Sequence, residues 1–188
     1  MRIISGNFKG KKILLPKDNL TRPLKDLTKE SIFNIIKHSK LLNINIENSN
    51  ILDLFSGVGS FGLECLSRGA ASVTFLESYK EVLTILKKNI ENLKQQNYSR
   101  IIEKDIFAPN TLGILDNKFE IIFMDPPYKE KKLIELLNKI IKLKLLKDNG
   151  VIIIHRHKKE EVIFPDEFNF ILEKNYGISK IIFGNTLA

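Results

Sequence analysis

From Asn50 onward the chain sets apolar runs of strand length between segments of helical periodicity. The runs are Ile51–Phe55, Ala71–Leu76, Arg100–Glu103, Phe119–Met124 and Val151–His155, with helices expected near 60–68, 79–94 and 130–147. Continuous apolar strands must be covered on both faces, and strands alternating with helices achieve this through parallel pairing and helical crossovers. Right-handed crossovers then build a doubly wound α/β sheet. Phe168–Tyr176 and Ser179–Gly184, separated by the turn at Tyr176-Gly177, predict an antiparallel hairpin that finishes the sheet.

The preceding residues have another character. Arg2–Ser5 and Lys11–Leu15 predict two short strands joined through Gly6-Asn-Phe-Lys-Gly10, followed by a polar link from Pro16 to Pro23. Apolar residues at Leu27, Ile32, Phe33, Ile35 and Ile36 predict an amphipathic helix from Lys25 to about Leu42, with Asp26 or Thr28 as its cap. The expected organisation is therefore a basic hairpin arm and linker over 1–24, then a domain over 25–188 with a leading helix.

Charge is concentrated in the arm. Residues 1–29 hold Arg2, Lys9, Lys11, Lys12, Lys17, Arg22, Lys25 and Lys29 against Asp18 and Asp26, which accounts for most of the net charge of +8. Such an excess points to a polyanion, and Arg2, Lys9, Lys11, Lys12, Arg22 and Lys25 are the candidate nucleic-acid contacts. Cys65 is the only cysteine, which excludes an intramolecular disulfide and a cysteine-rich metal cluster. His38, His155 and His157 have no metal-ligand spacing, so no metal is expected. The first residues lack the apolar core of a signal peptide, and no apolar run approaches membrane-spanning length. A cytoplasmic monomer without a membrane partner is the expectation.

After the first sheet strand comes Asp53-Leu-Phe-Ser-Gly-Val-Gly-Ser-Phe-Gly62. Glycines at 57 and 59 let the backbone turn tightly and approach a ligand at the carboxyl end of a strand. Gly57-x-Gly59-x-x-Gly62 also satisfies the dinucleotide fingerprint, so a nicotinamide or flavin site stays open on this motif alone. Two acids favour S-adenosylmethionine: Asp53, placed before the glycines to pair with an ammonium, and Glu77, placed after the next strand to accept ribose hydroxyls. Asp105, beyond the third strand, would accept the adenine amino group, with Ile106 or Phe107 packing on the ring.

The fourth strand ends in Asp125-Pro126-Pro127-Tyr128. Pro-Pro after a strand is also an ordinary stop, because proline removes a ladder donor and biases its predecessor toward extended backbone. The chemical reading is methylation of an exocyclic nucleobase amine, whose lone pair is delocalised into the ring. The Asp125 carboxylate and the Pro126 carbonyl would accept its N–H groups and free the lone pair, while Tyr128 stacks on the base. Acids near the ends of four neighbouring strands suit this reaction, which needs its reactants held in line. An adenine-N6 DNA methyltransferase and a non-catalytic RNA-binding protein with a methylase fold remain alternatives.

Arg2-Ile-Ile-Ser-Gly, Lys9-Gly10-Lys11, Thr21-Arg22-Pro23, Asp26, Glu30-Ser-Ile-Phe-Asn34, Leu52 to Glu64, Leu66-Ser-Arg-Gly-Ala-Ala71 and Asp125 to Tyr128 together resemble the RsmD family of bacterial 16S ribosomal RNA guanine-N2 methyltransferases. The resemblance runs from Arg2 through Gly177. It implies a Rossmann-like class I S-adenosylmethionine-dependent fold and methylation of one guanine, position 966 in the usual rRNA count, in the 30S subunit or its assembly intermediate. It also implies a catalytic loop at Asp125, Pro126, Pro127 and Tyr128, and a cofactor pocket at Phe55, Ser56, Gly57, Gly59, Glu77 and Asp105. Where the family commonly has Glu-His after the fifth strand, this chain has His155-Arg156-His157, and Arg156 is expected to engage RNA phosphate.

Overall fold

The computed structural model of the protein describes residues 1–16, 24–127 and 129–187, so the Thr21-Arg22-Pro23 segment and Tyr128 lie outside the described residues. The strands are β1 (Asn50–Leu54), β2 (Ser72–Leu76), β3 (Ser99–Ile102), β4 (Phe119–Met124), β5 (Leu146–His157), β6 (Phe168–Tyr176) and β7 (Ser179–Thr186). They form one seven-stranded sheet in the order β3-β2-β1-β4-β5-β7-β6. The first five are parallel, and β7 runs antiparallel between β5 and β6. The expected hairpin therefore completes the sheet.

Strand alternation divides the interior into two cores. Ile51, Val73, Phe75, Ile121, Phe123, Val151 and Ile153 pack on one face with the helices α1 (Asp26–His38), α2 (Ser60–Ser67) and α3 (Lys80–Asn92). Leu52, Leu54, Leu76, Ile122, Met124, Ile152 and Ile154 pack on the other with α4 (Leu133–Lys142). Successive strand residues point to opposite faces, so an apolar residue at every position fills both cores.

The helices near 79–94 and 130–147 are shorter than their periodicity predicts. Both close in the same way: Lys94 and Lys144 adopt left-handed backbone with φ of 56° and 51°. The Gln95 and Leu145 amides then donate to the Ile90 and Ile140 carbonyls at 3.0 and 3.2 Å, while the Lys94 and Lys144 amides donate to Glu91 and Ile141. These are Schellman closures, a geometry usually signalled by glycine. α1 likewise ends at His38, and its N-cap Lys25 makes no side-chain cap bond, so neither expected cap serves.

The arm is a hairpin-like turn with one antiparallel bridge, Arg2 to Lys12, where two strands are expected. Its Ile3 and Ile13 are buried in the α2 and α3 core. The Glu64 carboxylate on α2 accepts the Ile4 and Ser5 amides at 2.8 and 3.0 Å. Lys29 of α1 completes the attachment: its Nζ lies 3.6 Å from Glu64 and donates to the Arg2 carbonyl at 2.9 Å. Asn89 of α3 accepts the Leu14 amide at 2.8 Å and donates to the Val58 carbonyl at 3.0 Å.

Both members of the Lys29–Glu64 pair are fully buried. Desolvation lowers the Lys29 pKa below its usual range despite the opposing attraction of Glu64. Breaking such a pair on one side leaves a buried charge uncompensated. Glu64→Ala is expected to lower unfolding free energy by about 3–5 kcal/mol in urea titrations. Glu103→Ala, which removes the exposed Lys87–Glu103 pair, should cost less than about 1 kcal/mol. Equal losses would show that the buried pair contributes nothing special.

Candidate active site

Strand order reverses between β1 and β4, and ligands of open parallel sheets bind beyond the strand ends at such a point. Leu54 pairs with Met124 in the last step of the register, so Phe55 and Asp125 are the first residues past it. A cleft of about 580 Å³ opens there. Phe61 and Phe123, stacked with centroids 4.0 Å apart, line it from the apolar core. Leu24, Lys25 and Thr28 line it from the start of α1, and Ile178 and Ser179 from the turn between β6 and β7.

Asp53, Phe55, Ser56, Gly57 and Glu77 all line the cleft, as the sequence predicts. Gly57 has φ of 55°, and an added Cβ would meet nothing within 4 Å, so the backbone is open to a ligand. Gly59, with φ of 84°, is needed instead for packing, since its Cβ would lie 2.5 Å from Leu86. Phe55 also takes left-handed backbone, φ 58°, which is a strained conformation for an aromatic residue at a functional turn.

Asp53 is buried at 1% exposure. Its Oδ2 accepts the Gly62 amide at 3.0 Å, while the buried Oδ1 has no partner in the structure. Desolvation pushes its carboxyl well above the ordinary 3.8; the Gly62 bond opposes this, and the charges of Asp125 and Glu77 add to it. An orphaned buried carboxylate oxygen facing a cleft suits a cationic ligand group. Glu77 is held rigidly: Oε2 accepts the Gly57 amide at 2.9 Å, and Oε1 accepts the Ser78 and Tyr79 amides at 2.8 Å each. A carboxylate has about four acceptor sites, so capacity for a hydroxyl remains.

Asp105 and Ile106 do not join this lining. The Asp105 carboxylate caps its own turn, accepting the Phe107 amide at 2.9 Å. Ile106 is 4% exposed and packs in the opposite core. Ile106 fills that core, while Phe107 of the same connection lies against Phe55 of the cleft, with ring centroids 6.2 Å apart.

Asp125, Pro126 and Pro127 line the cleft, and two consecutive residues of β5 grip this loop. His155 Nδ1 lies 2.7 Å from Asp125 Oδ1. Arg156, expected at RNA phosphate, is instead 4% exposed and turned inward. Its guanidinium donates to the Pro127 carbonyl at 3.0 Å, to Glu130 at 3.1 Å and to Pro126 at 3.4 Å, and it pairs with Glu160. Five guanidinium donors suit a cluster of loop carbonyls, so the charge is spent inside the protein. Lys25 lines the cleft, whereas Arg2, Lys9, Lys11 and Lys12 are exposed on the arm outside its lining.

The strand order, the glycine turn and the loop after β4 define a Rossmann-like methyltransferase of class I. The family model described as Conserved hypothetical protein 95 matches residues 1–185. Ribosomal RNA small subunit methyltransferase D of Buchnera aphidicola is 35% identical, covering 92% of this chain and 86% of that protein. The protein of the same name from Haemophilus influenzae is 32% identical, covering 95% of this chain and 90% of its own length. The solved structure of yhhF from Escherichia coli superposes with a TM-score of 0.80 at 27% identity, covering 99% of this chain and 97% of that one. This chain belongs to the RsmD family.

The raised Asp53 pKa would make any pairing of its carboxylate with a cationic ligand pH-dependent. An ammonium pairs only with ionised Asp53, so a ligand that places one there, for which S-adenosylhomocysteine is the probe, should bind more strongly as pH rises above 3.8 through the raised value, with proton release. Titration calorimetry in buffers of different ionisation enthalpy measures this. Asp53→Asn should abolish the release; proton uptake by the unmodified protein would refute the pairing.

Proposed function

We propose that this protein methylates the exocyclic N2 amine of one guanine in 16S ribosomal RNA, using S-adenosylmethionine, on the 30S subunit or an assembly intermediate. The observation that carries the reading is the placement of Asp125 at the reversal of strand order, in the same cleft as Asp53 and Glu77. The names of the small-subunit relatives support ribosomal RNA as substrate. Guanine and its N2 atom rest on the family resemblance.

The donor suits the residues present. Asp53 Oδ1 would take its ammonium and the spare capacity of Glu77 a ribose hydroxyl, with the open backbone at Gly57 alongside. Bound there, S-adenosylmethionine supplies a methyl group whose bond to sulfur breaks as the new bond to nitrogen forms, the electron pair staying on sulfur. Asp125 accepts one N–H of the amine and the Pro126 carbonyl the other, which directs the nitrogen lone pair along the transfer axis. The displaced proton passes to Asp125 or water. Orientation and fixed charge carry the rate. Tyr128 is assigned the stacking role from its place in the motif.

The guanine must leave its stack to enter the cleft, at least cost in an RNA loop. Lys25 and Lys129 line the cleft, and Lys131, Lys132, Lys158 and Lys159 are exposed on the flanking segments. These lysines, with those of the arm, give the RNA phosphates a basic approach to the acidic interior.

Labelled S-adenosylmethionine should mark N2-methylguanine in 30S subunits that lack the modification, and leave duplex DNA unlabelled. Label in DNA adenine with none in rRNA would overturn the reading. Replacing Lys129 and Lys131 by alanine should weaken subunit binding and flatten the plot of log affinity against log salt by about 2 in slope if each meets one phosphate. An unchanged slope would remove both from the RNA contact.

A further inference from the structure

We propose that His155 is a positioning residue: it locks the Asp125 carboxylate in one rotamer so that Oδ2 is presented to the target amine. The inference rests on the amine-methylation reading above. Met124 pairs with Ile154 in the parallel ladder, so Asp125 and His155 are one register step further on, on neighbouring strands. Both extend the alternation that places Ile121, Phe123, Val151 and Ile153 on the α2 face, and their side chains meet there. Nδ1 and Oδ1 are 2.7 Å apart, and the two side chains are 10% and 20% exposed. At that separation a proton must lie between the atoms, because two facing lone pairs would repel. With Asp125 ionised as the amine acceptor, the proton belongs to Nδ1 and His155 is the donor.

That bond uses one carboxylate oxygen and fixes rotation about the Cβ–Cγ bond. It leaves Oδ2 as the acceptor for the amine. The next residue does the complementary work: Arg156 points to the opposite face and holds the Pro126 and Pro127 carbonyls. Backbone and side chain of the catalytic loop are thus held separately, from the two faces of one strand. Without His155 the Asp125 side chain would keep its backbone position and lose its torsional restraint. A misplacement of about 1 Å in such a site costs on the order of 100-fold in rate.

The test uses the full-length protein, 30S subunits lacking the methyl group, and the two substitutions His155→Ala and His155→Asn. An asparagine amide nitrogen can occupy the place of Nδ1 and donate to Asp125, but it cannot titrate. His155→Ala should lower kcat about 100-fold while KM for the subunit and the Kd for S-adenosylhomocysteine stay within about threefold. His155→Asn should recover kcat to within about tenfold of the unmodified enzyme. A role limited to folding or packing would move KM, Kd and thermal midpoint together, with no selective recovery by asparagine, and that pattern overturns the proposal. So does a His155→Ala enzyme within about threefold of normal kcat. If alanine prevents folding, the asparagine variant decides alone, and a loss greater than about tenfold in kcat rejects the positioning bond. Mass analysis of the product separates the two levels: an unmodified enzyme that makes no N2-methylguanine fails the function reading, whatever His155 does.

Discussion

The side-by-side pairing of β1 and β4 is the contact on which the site depends. It joins the two halves of the sheet where strand order reverses, and crossovers on either side leave the space above the strand ends uncovered. Because every ladder position up to Leu54 and Met124 is packed on both faces, polar groups gather at the last turns of chain. Asp53 is a buried acid inside β1, and its Oδ2 is satisfied by the Gly62 amide at the start of α2. Burial makes its ionised form costly, so a cationic group beside it would stabilise the carboxylate.

Around this centre, rigidity comes from polar side chains bound to backbone. Glu77 ties the glycine turn to the end of β2 through the Gly57 amide, Glu64 ties α2 to the arm, and Arg156 gathers three carbonyls of the loop after β4. Each such bond answers a main-chain group that irregular structure would otherwise leave unpaired. Loops carry the chemistry, and buried charged residues on regular elements supply their order.

The sheet was legible because its central strands are predominantly apolar runs, the pattern of a sheet covered on both faces. Helix ends were not, because Lys94 and Lys144 occupy left-handed positions that glycine normally marks; α2, which closes at Gly69, ends close to expectation. Within the site, residues at or shortly past the ends of β1, β2 and β4 were readable, since these strand ends point to one edge: Asp53, Gly57, Glu77 and Asp125 all reach the cleft. Asp105 and Ile106 follow the edge strand β3, two strands away from β1, and Ile106 packs with Leu112 in the opposite core. Arg156 illustrates a different limit. Its charge was visible, but the nearness of loop carbonyls that consume that charge is a property of tertiary structure.

Asn89 gives the arm a meaning beyond its charge. One buried amide side chain bonds both the Leu14 backbone and the Val58 carbonyl, between Gly57 and Gly59. The first residues of the chain are thus scaffolding for the glycine turn of the cleft as well as a basic surface. Shortening the chain from its amino end would disturb two functions at once, and lost activity in such a protein would not by itself locate the RNA contacts.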